Sequence, residues 1–122
     1  MKLEICIDVD DVARAVEFYS RGLGLELVEQ HEDWAHVKLG EQTFWIMKVA
    51  PGPVGPVRRH YVRHWTPVHL DFLVDDIDAA VERALAAGGK LDGAIRRDPN
   101  LGDLANLSDP AGNGVDLVQR RN

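Results

Sequence analysis

The chain carries a single cysteine among its 122 residues. That count excludes an intrachain disulfide and suits a reducing compartment. No apolar run approaches the ~18 residues that a membrane-spanning helix needs. The opening Met1-Lys2-Leu3-Glu4 puts a carboxylate where a signal peptide carries its apolar core. The expectation is therefore a cytoplasmic protein with no membrane partner. Positive charge is in deficit as well: 14 Lys and Arg against 20 Asp and Glu leave a net charge of −6. A general nucleic-acid binder needs a basic face to neutralise phosphates, so no nucleic-acid partner is expected. The basic residues that exist are gathered, with Arg58, Arg59 and Arg63 beside His60 and His64.

What the chain does have is an internal repeat. Shifting the sequence by 65 positions superimposes Val9 on Val74, Asp10 on Asp75, Asp11 on Asp76, Ala15 on Ala80, Val16 on Val81 and Glu17 on Glu82. The same shift brings Glu4 onto His69. The expected organisation is one compact domain of two tandem modules: residues 1–49, a linker loop over 50–65, and residues 66–122. A chain of this length buries about two-thirds of its unfolded surface, enough for a core without disulfides.

Each module reads as a strand, a helix and three strands. Residues 4–9 alternate Ile5, Ile7 and Val9 against Glu4, Cys6 and Asp8, the period of a half-buried strand. Asp10 or Asp11 can cap a helix whose face is Val12, Ala15, Val16 and Tyr19. Gly22 and Gly24 supply helix-ending positive-φ positions. Strands are expected over Leu25–Gln30, Trp34–Leu39 and Thr43–Lys48. Three prolines and two glycines within residues 51–56 rule out a helix or central strand there. Beyond it, a strand over Val68–Val74 turns Leu70, Phe72 and Val74 toward a helix. His69, Asp71 and Leu73 face away from it. That helix buries Ile77, Ala80, Val81, Ala84 and Leu85. Leu91–Ile95, Asp103–Leu107 and Val115–Gln119 are the remaining expected strands, with a loop over Arg97–Leu101.

Phe18-Tyr19 with Gly22-Leu23-Gly24-Leu25, and Asp109-Pro110-Ala111-Gly112-Asn113 before the last strand, resemble the vicinal-oxygen-chelate superfamily. It includes glyoxalase I, extradiol dioxygenases and bleomycin-resistance proteins. The resemblance implies an α+β fold in which two β-α-β-β-β modules form curled mixed sheets around a cavity, helices outside. It also implies a homodimer. Metal-dependent members place a His, Gln or Glu on the first strand of each module and a carboxylate on the last. Here those positions are Glu4, Trp45, His69 and Asp116. Trp45 cannot ligate, because an indole N–H only donates.

The resemblance makes Glu4, His69 and Asp116 the candidate catalytic residues and the candidate ligands of a divalent ion (Zn, Ni, Mn or Fe), if one binds. Trp34, His36, Trp45, Met47 and Asp71 are candidate contacts for a small organic molecule. Arg59 and Arg63 can add a bidentate grip on a carboxylate or phosphate, or can simply pair with acidic surface residues. Cys6 lies between carboxylates, which oppose a thiolate, and reads as inert. The leading expectation is a small-molecule binder with an aromatic-lined cavity and an incomplete metal site. The alternatives are a metal-dependent lyase, isomerase or dioxygenase, and a metal-free drug-sequestering protein.

Overall fold

The computed structural model describes residues 1–121. The first half runs β1 (Glu4–Val9), α1 (Val12–Val16), β2 (Glu26–Gln30), β3 (Trp34–Leu39) and β4 (Gln42–Lys48). A short hairpin follows, β5 (Gly52–Val54) and β6 (Val57–Arg59). The second half is β7 (Leu70–Leu73), α2 (Ile77–Ala86), β8 (Lys90–Leu91), β9 (Arg96–Asp98), β10 (Gly102–Ser108) and β11 (Gly114–Arg120).

The two halves are wired alike. The first sheet has strand order β1-β4-β3-β2, and the second β7-β11-β10-β8, with β9 also pairing β10. In each, the first strand lies parallel to the last, and the remaining pairs are antiparallel. The register sets Cys6 beside Trp45 and Asp71 beside Asp116. The repeated aspartates repeat their role: Asp11 Oδ1 accepts from the Arg14 amide at 3.0 Å, and Asp76 Oδ1 from the Ala79 amide at 3.1 Å. Both satisfy an N–H that a helix start leaves unpaired.

The alternating apolar residues meet in one core that runs through both halves. Val9, Val37 and Ile46 are fully buried in the first, and Ile77, Ala105, Leu107 and Leu117 in the second. Across the junction the rings of Phe44 and Phe72 stack at 6.4 Å. A Cβ on Gly22 would come within 3.1 Å of the Ala87 Cβ. Gly22 thus serves close approach of the two helical segments, while Gly24, at φ 84°, is the positive-φ residue that ends the first.

Several boundaries differ from expectation for identifiable reasons. The first helix changes to π-helical geometry over Glu17–Gly22. Neighbours on a regular helix diverge by about 100°, yet Phe18 and Tyr19 are both buried; a widened turn accommodates that. The expected strand Leu91–Ile95 is split, since Gly93 at φ 70° leaves extended geometry, and pairing resumes as β9, which runs into the expected loop. The linker forms its hairpin around Gly55 at φ 57°. That hairpin pairs with neither main sheet, so Pro53 sits where its missing N–H costs little. Leu85, expected in the buried stripe, is 41% exposed.

Candidate functional site

The strand periodicity that builds the core also sends every second side chain to the opposite face of each sheet. On the second sheet that face brings together His69, Asp71 and Asp116, one ligand-capable atom from each lying within 4.8 Å of the others. His69 Nε2 is 3.2 Å from Asp71 Oδ1 and 3.6 Å from Asp116 Oδ2. Its other nitrogen, Nδ1, lies 3.3 Å from the Pro67 carbonyl oxygen, which can only accept. Asp116 is buried, its Oδ1 accepting from Asn106 Nδ2, while Arg96 Nη2 donates to Asn106 Oδ1 at 3.2 Å. Burial pushes the Asp116 carboxyl above the ordinary carboxylate range. The Asn106 hydrogen bond opposes that rise, the charge of Asp71 adds to it, and His69 opposes it.

Glu4 is not brought into this group. Its Oε2 accepts from Trp45 Nε1 at 2.9 Å. Of the three residues expected at a metal, two are together and the third is tied to a tryptophan. Asp71, expected to touch substrate, stands where Glu4 was expected. Asn106 went unnoticed in the sequence; its signal was a polar residue between Ala105 and Leu107 in an otherwise apolar strand.

The corresponding face of the first sheet is aromatic. His36 stacks on Trp45 with ring centroids 4.6 Å apart, Trp34 meets Trp45 edge-on at 5.8 Å, and His31 lies 4.3 Å from Trp34. All of Trp34, His36, Trp45 and Met47 are half-buried. His36 Nε2 is buried and has no hydrogen-bond partner among the described residues. A buried polar atom left in that state is uncommon and costly.

A cleft of about 900 Å³ separates the unpaired edges of β1 and β7. Cys6, Asp8, Arg58, His60, Trp65 and His69 are among its walls, whereas Trp34, His36 and Trp45 are not. Trp34 and Met47 border a smaller hollow of about 570 Å³. The cleft that His69 lines is thus walled by Trp65, whose ring lies 4.7 Å from that of His69, and not by Trp34, His36 or Trp45. Arg59 is ion-paired with Asp8, and Arg63 with Asp92. Both arginines expected at a ligand are engaged by acidic residues of the chain itself. Cys6 is a free thiol.

Residues 4–118 match the glyoxalase-like domain family, and the chain belongs to that family, within the vicinal-oxygen-chelate superfamily. It is 34% identical over 113 residues to the protein named "Putative glyoxylase CFP32" of Mycobacterium bovis, and equally to its Mycobacterium tuberculosis counterpart. Those alignments cover 89% of this chain, which spans only 39% of the length of either relative. Among solved structures it is similar to a glyoxalase-related enzyme from Fulvimarina pelagi (TM-score 0.73, 19% identity, 98% of this chain and 89% of that one). It is also similar to the fosfomycin resistance protein FosX from Listeria monocytogenes (TM-score 0.74, 15% identity, 99% and 93%). A third is TnmS3, an antibiotic binding protein from Streptomyces sp. CB03234 (TM-score 0.64, 22% identity, 99% and 98%). These likenesses establish the α+β fold. No helix among the described residues is long and apolar enough to cross a membrane.

Proposed function

We propose that the chain binds a small planar organic molecule against the aromatic face of its first sheet. The observation that carries this reading is the stacked set His36–Trp45–Trp34, with the buried, unpartnered His36 Nε2 within it. Trp45 is held in place by its hydrogen bond to Glu4 and by His36 on its face, so little rotamer freedom remains to be lost on binding. Aromatic surface supplies affinity, and a heteroatom reaching His36 Nε2 would satisfy it. Met47 offers an adaptable apolar margin. The location proposed is the cytoplasm and the assembly a homodimer, the commonest form of soluble oligomer.

The test is tryptophan-fluorescence titration with 2-naphthol and with bleomycin, using a Trp65→Phe background to isolate Trp34 and Trp45. Saturable quenching that weakens at least about tenfold in Trp34→Ala, the equivalent of ~1.4 kcal/mol, is expected for a fitting ligand. Quenching indifferent to Trp34 and Trp45 would remove the aromatic face as the site. Bleomycin as the preferred ligand would favour drug sequestration; TnmS3 is named an antibiotic binding protein.

A second reading is favoured by His69, Asp71 and Asp116: a divalent ion, Zn, Ni, Mn or Fe, bound at the second sheet. The donor set fits, since imidazole and carboxylate oxygens suit all four metals. When bound, such an ion would polarise neighbouring oxygens of a substrate as a Lewis acid, the chemistry of a lyase, isomerase or dioxygenase. The chain's own residues would orient it: Asn106 fixes the Asp116 carboxylate and the Pro67 carbonyl fixes the His69 ring.

A further inference from the structure

The metal reading leaves open which residues are ligands, and the structure departs from the pattern the superfamily would impose. We infer that the divalent-metal site is built entirely within the second half of the chain, with Asp71 as the third ligand beside His69 and Asp116, and that Glu4 is not a ligand. This inference rests on the second reading above and assigns its residues.

The internal repeat supplies the first argument. The 65-residue shift equates Glu4 with His69 and Cys6 with Asp71. The parallel registers, Cys6 beside Trp45 and Asp71 beside Asp116, then equate Trp45 with Asp116. Three equivalent positions thus hold Glu, Cys and Trp in one half and His, Asp and Asp in the other. In the first half the trio is closed on itself, because the Trp45 N–H donates to the Glu4 carboxylate. The Glu4 carboxylate is thus oriented by an indole on the first sheet and lies outside the group that His69, Asp71 and Asp116 form.

The second argument is distance. Ligands on adjacent vertices around an ion, with bonds of about 2.0–2.2 Å, lie roughly 3.0–3.5 Å apart. His69 Nε2 stands at 3.2 Å from an Asp71 oxygen and 3.6 Å from an Asp116 oxygen.

The third is orientation. His69 Nδ1 lies 3.3 Å from the Pro67 carbonyl oxygen, which can only accept, and this places Nε2 facing the two carboxylates. Metal-bound histidines characteristically donate their second nitrogen to such an acceptor, and metal-bound carboxylates are themselves hydrogen-bonded. Asn106, braced by Arg96, does the latter for Asp116 and leaves its Oδ2 on the His69 side.

The experiment is isothermal titration of the chelator-stripped full chain with Zn²⁺, paired with Co²⁺ titration followed by visible and near-ultraviolet absorption. Wild type, Asp71→Asn, Glu4→Gln and Cys6→Ser are compared, each checked for native circular dichroism. Wild type is expected to bind one ion per chain. Asp71→Asn should weaken binding at least about 100-fold, the upper end of what losing a mere supporting residue costs. Glu4→Gln should stay within about threefold, and no Co²⁺–thiolate charge-transfer band should appear. Should Asp71→Asn not fold natively, Asp71→Ser serves in its place, because this half-exposed carboxylate carries no core packing. Wild-type binding lost with Glu4 and retained without Asp71 would overturn the assignment, as would a thiolate band that disappears in Cys6→Ser. Absence of any binding by wild type would overturn the metal reading itself, a different outcome from either.

Discussion

The two halves share a plan and differ in what they aim away from their helices. Both keep a parallel pairing of first and last strand and an aspartate cap three residues before the amide it serves. On the first sheet the outward positions hold Trp34, His36, Trp45 and Met47; on the second they hold His69, Asp71, Asn106 and Asp116. The fold constrains the inward residues through one continuous core, so duplication preserves their apolar character. The outward residues answer to whatever occupies the site, and there the copies have diverged. One half has become a stacking surface and the other a cluster of potential ligands.

The largest effect is expected where the comparison can be broken outright, at the bond that joins the halves. Tyr19, at the end of the first helical segment, donates to Asp109 Oδ2 at 2.7 Å, and both residues are buried. Asp109 also accepts from the amides of Ala111 and Asn113 and from Asn113 Nδ2. Asp109→Ala leaves two buried donors, the Tyr19 hydroxyl and the Ala111 amide, without their partner, and this pair alone is expected to cost about 2–6 kcal/mol, at roughly 1–3 for each. Tyr19→Phe removes one donor and should cost only about 1 kcal/mol. Urea denaturation of both variants checks the ratio; equal losses would mean that the junction, and not the turn, is what Asp109 supports.

That bond also shows what was legible in the sequence. The Phe18-Tyr19 helix end and the Asp109-Pro110-Ala111-Gly112-Asn113 turn were visible as separate motifs; that one hydrogen-bonds the other was not, because 90 positions separate the partners. Alternation located the strand faces of Trp34, His36, Trp45, His69 and Asp116, since period two fixes side without needing a fold. It could not measure distance across sheets; the grouping of Glu4 with Trp45, His69 and Asp116 came from the family resemblance. The proline-rich linker hid a hairpin because composition reports what a segment cannot do within a sheet, not whether it pairs with itself.

A smaller effect sharpens the contrast within the first half. Trp45→Phe keeps a ring on His36 but deletes the N–H that fixes Glu4. Losing one hydrogen bond to a charged group at a half-exposed site is expected to cost about 1 kcal/mol of stability. Affinity for a planar ligand should fall several-fold, and less than in Trp45→Ala, because most of the stacking area survives. Thermal denaturation and the quenching titration read the two quantities separately.

The mildest prediction uses acid to distinguish the halves. The hydrogen bond from Arg97 holds the Asp78 carboxyl below its ordinary range, and the amides of Leu101 and Asn100 do the same for Asp98. Both carboxylates belong to the second half. Their folded-state pKa values lie under the unfolded value near ~3.9, so below that pH the unfolded chain binds more protons. The stability they contribute is complete above the unfolded value and is lost as pH falls through the folded one. Asp116 acts with the opposite sign: burial raises its pKa, so the folded state gains a proton first and is favoured as pH falls through that raised value. Amide resonances of β9 and of the start of α2 should therefore lose dispersion below about pH 3.9 before those of β3 and β4, in an NMR titration at low salt. Raising the salt should shrink the difference, because Asp78 and Arg97 pair at the surface, where such bridges are screened. Simultaneous loss in both halves would instead show that the shared core and the Tyr19–Asp109 bond enforce a single cooperative unit even where the two copies carry different charges.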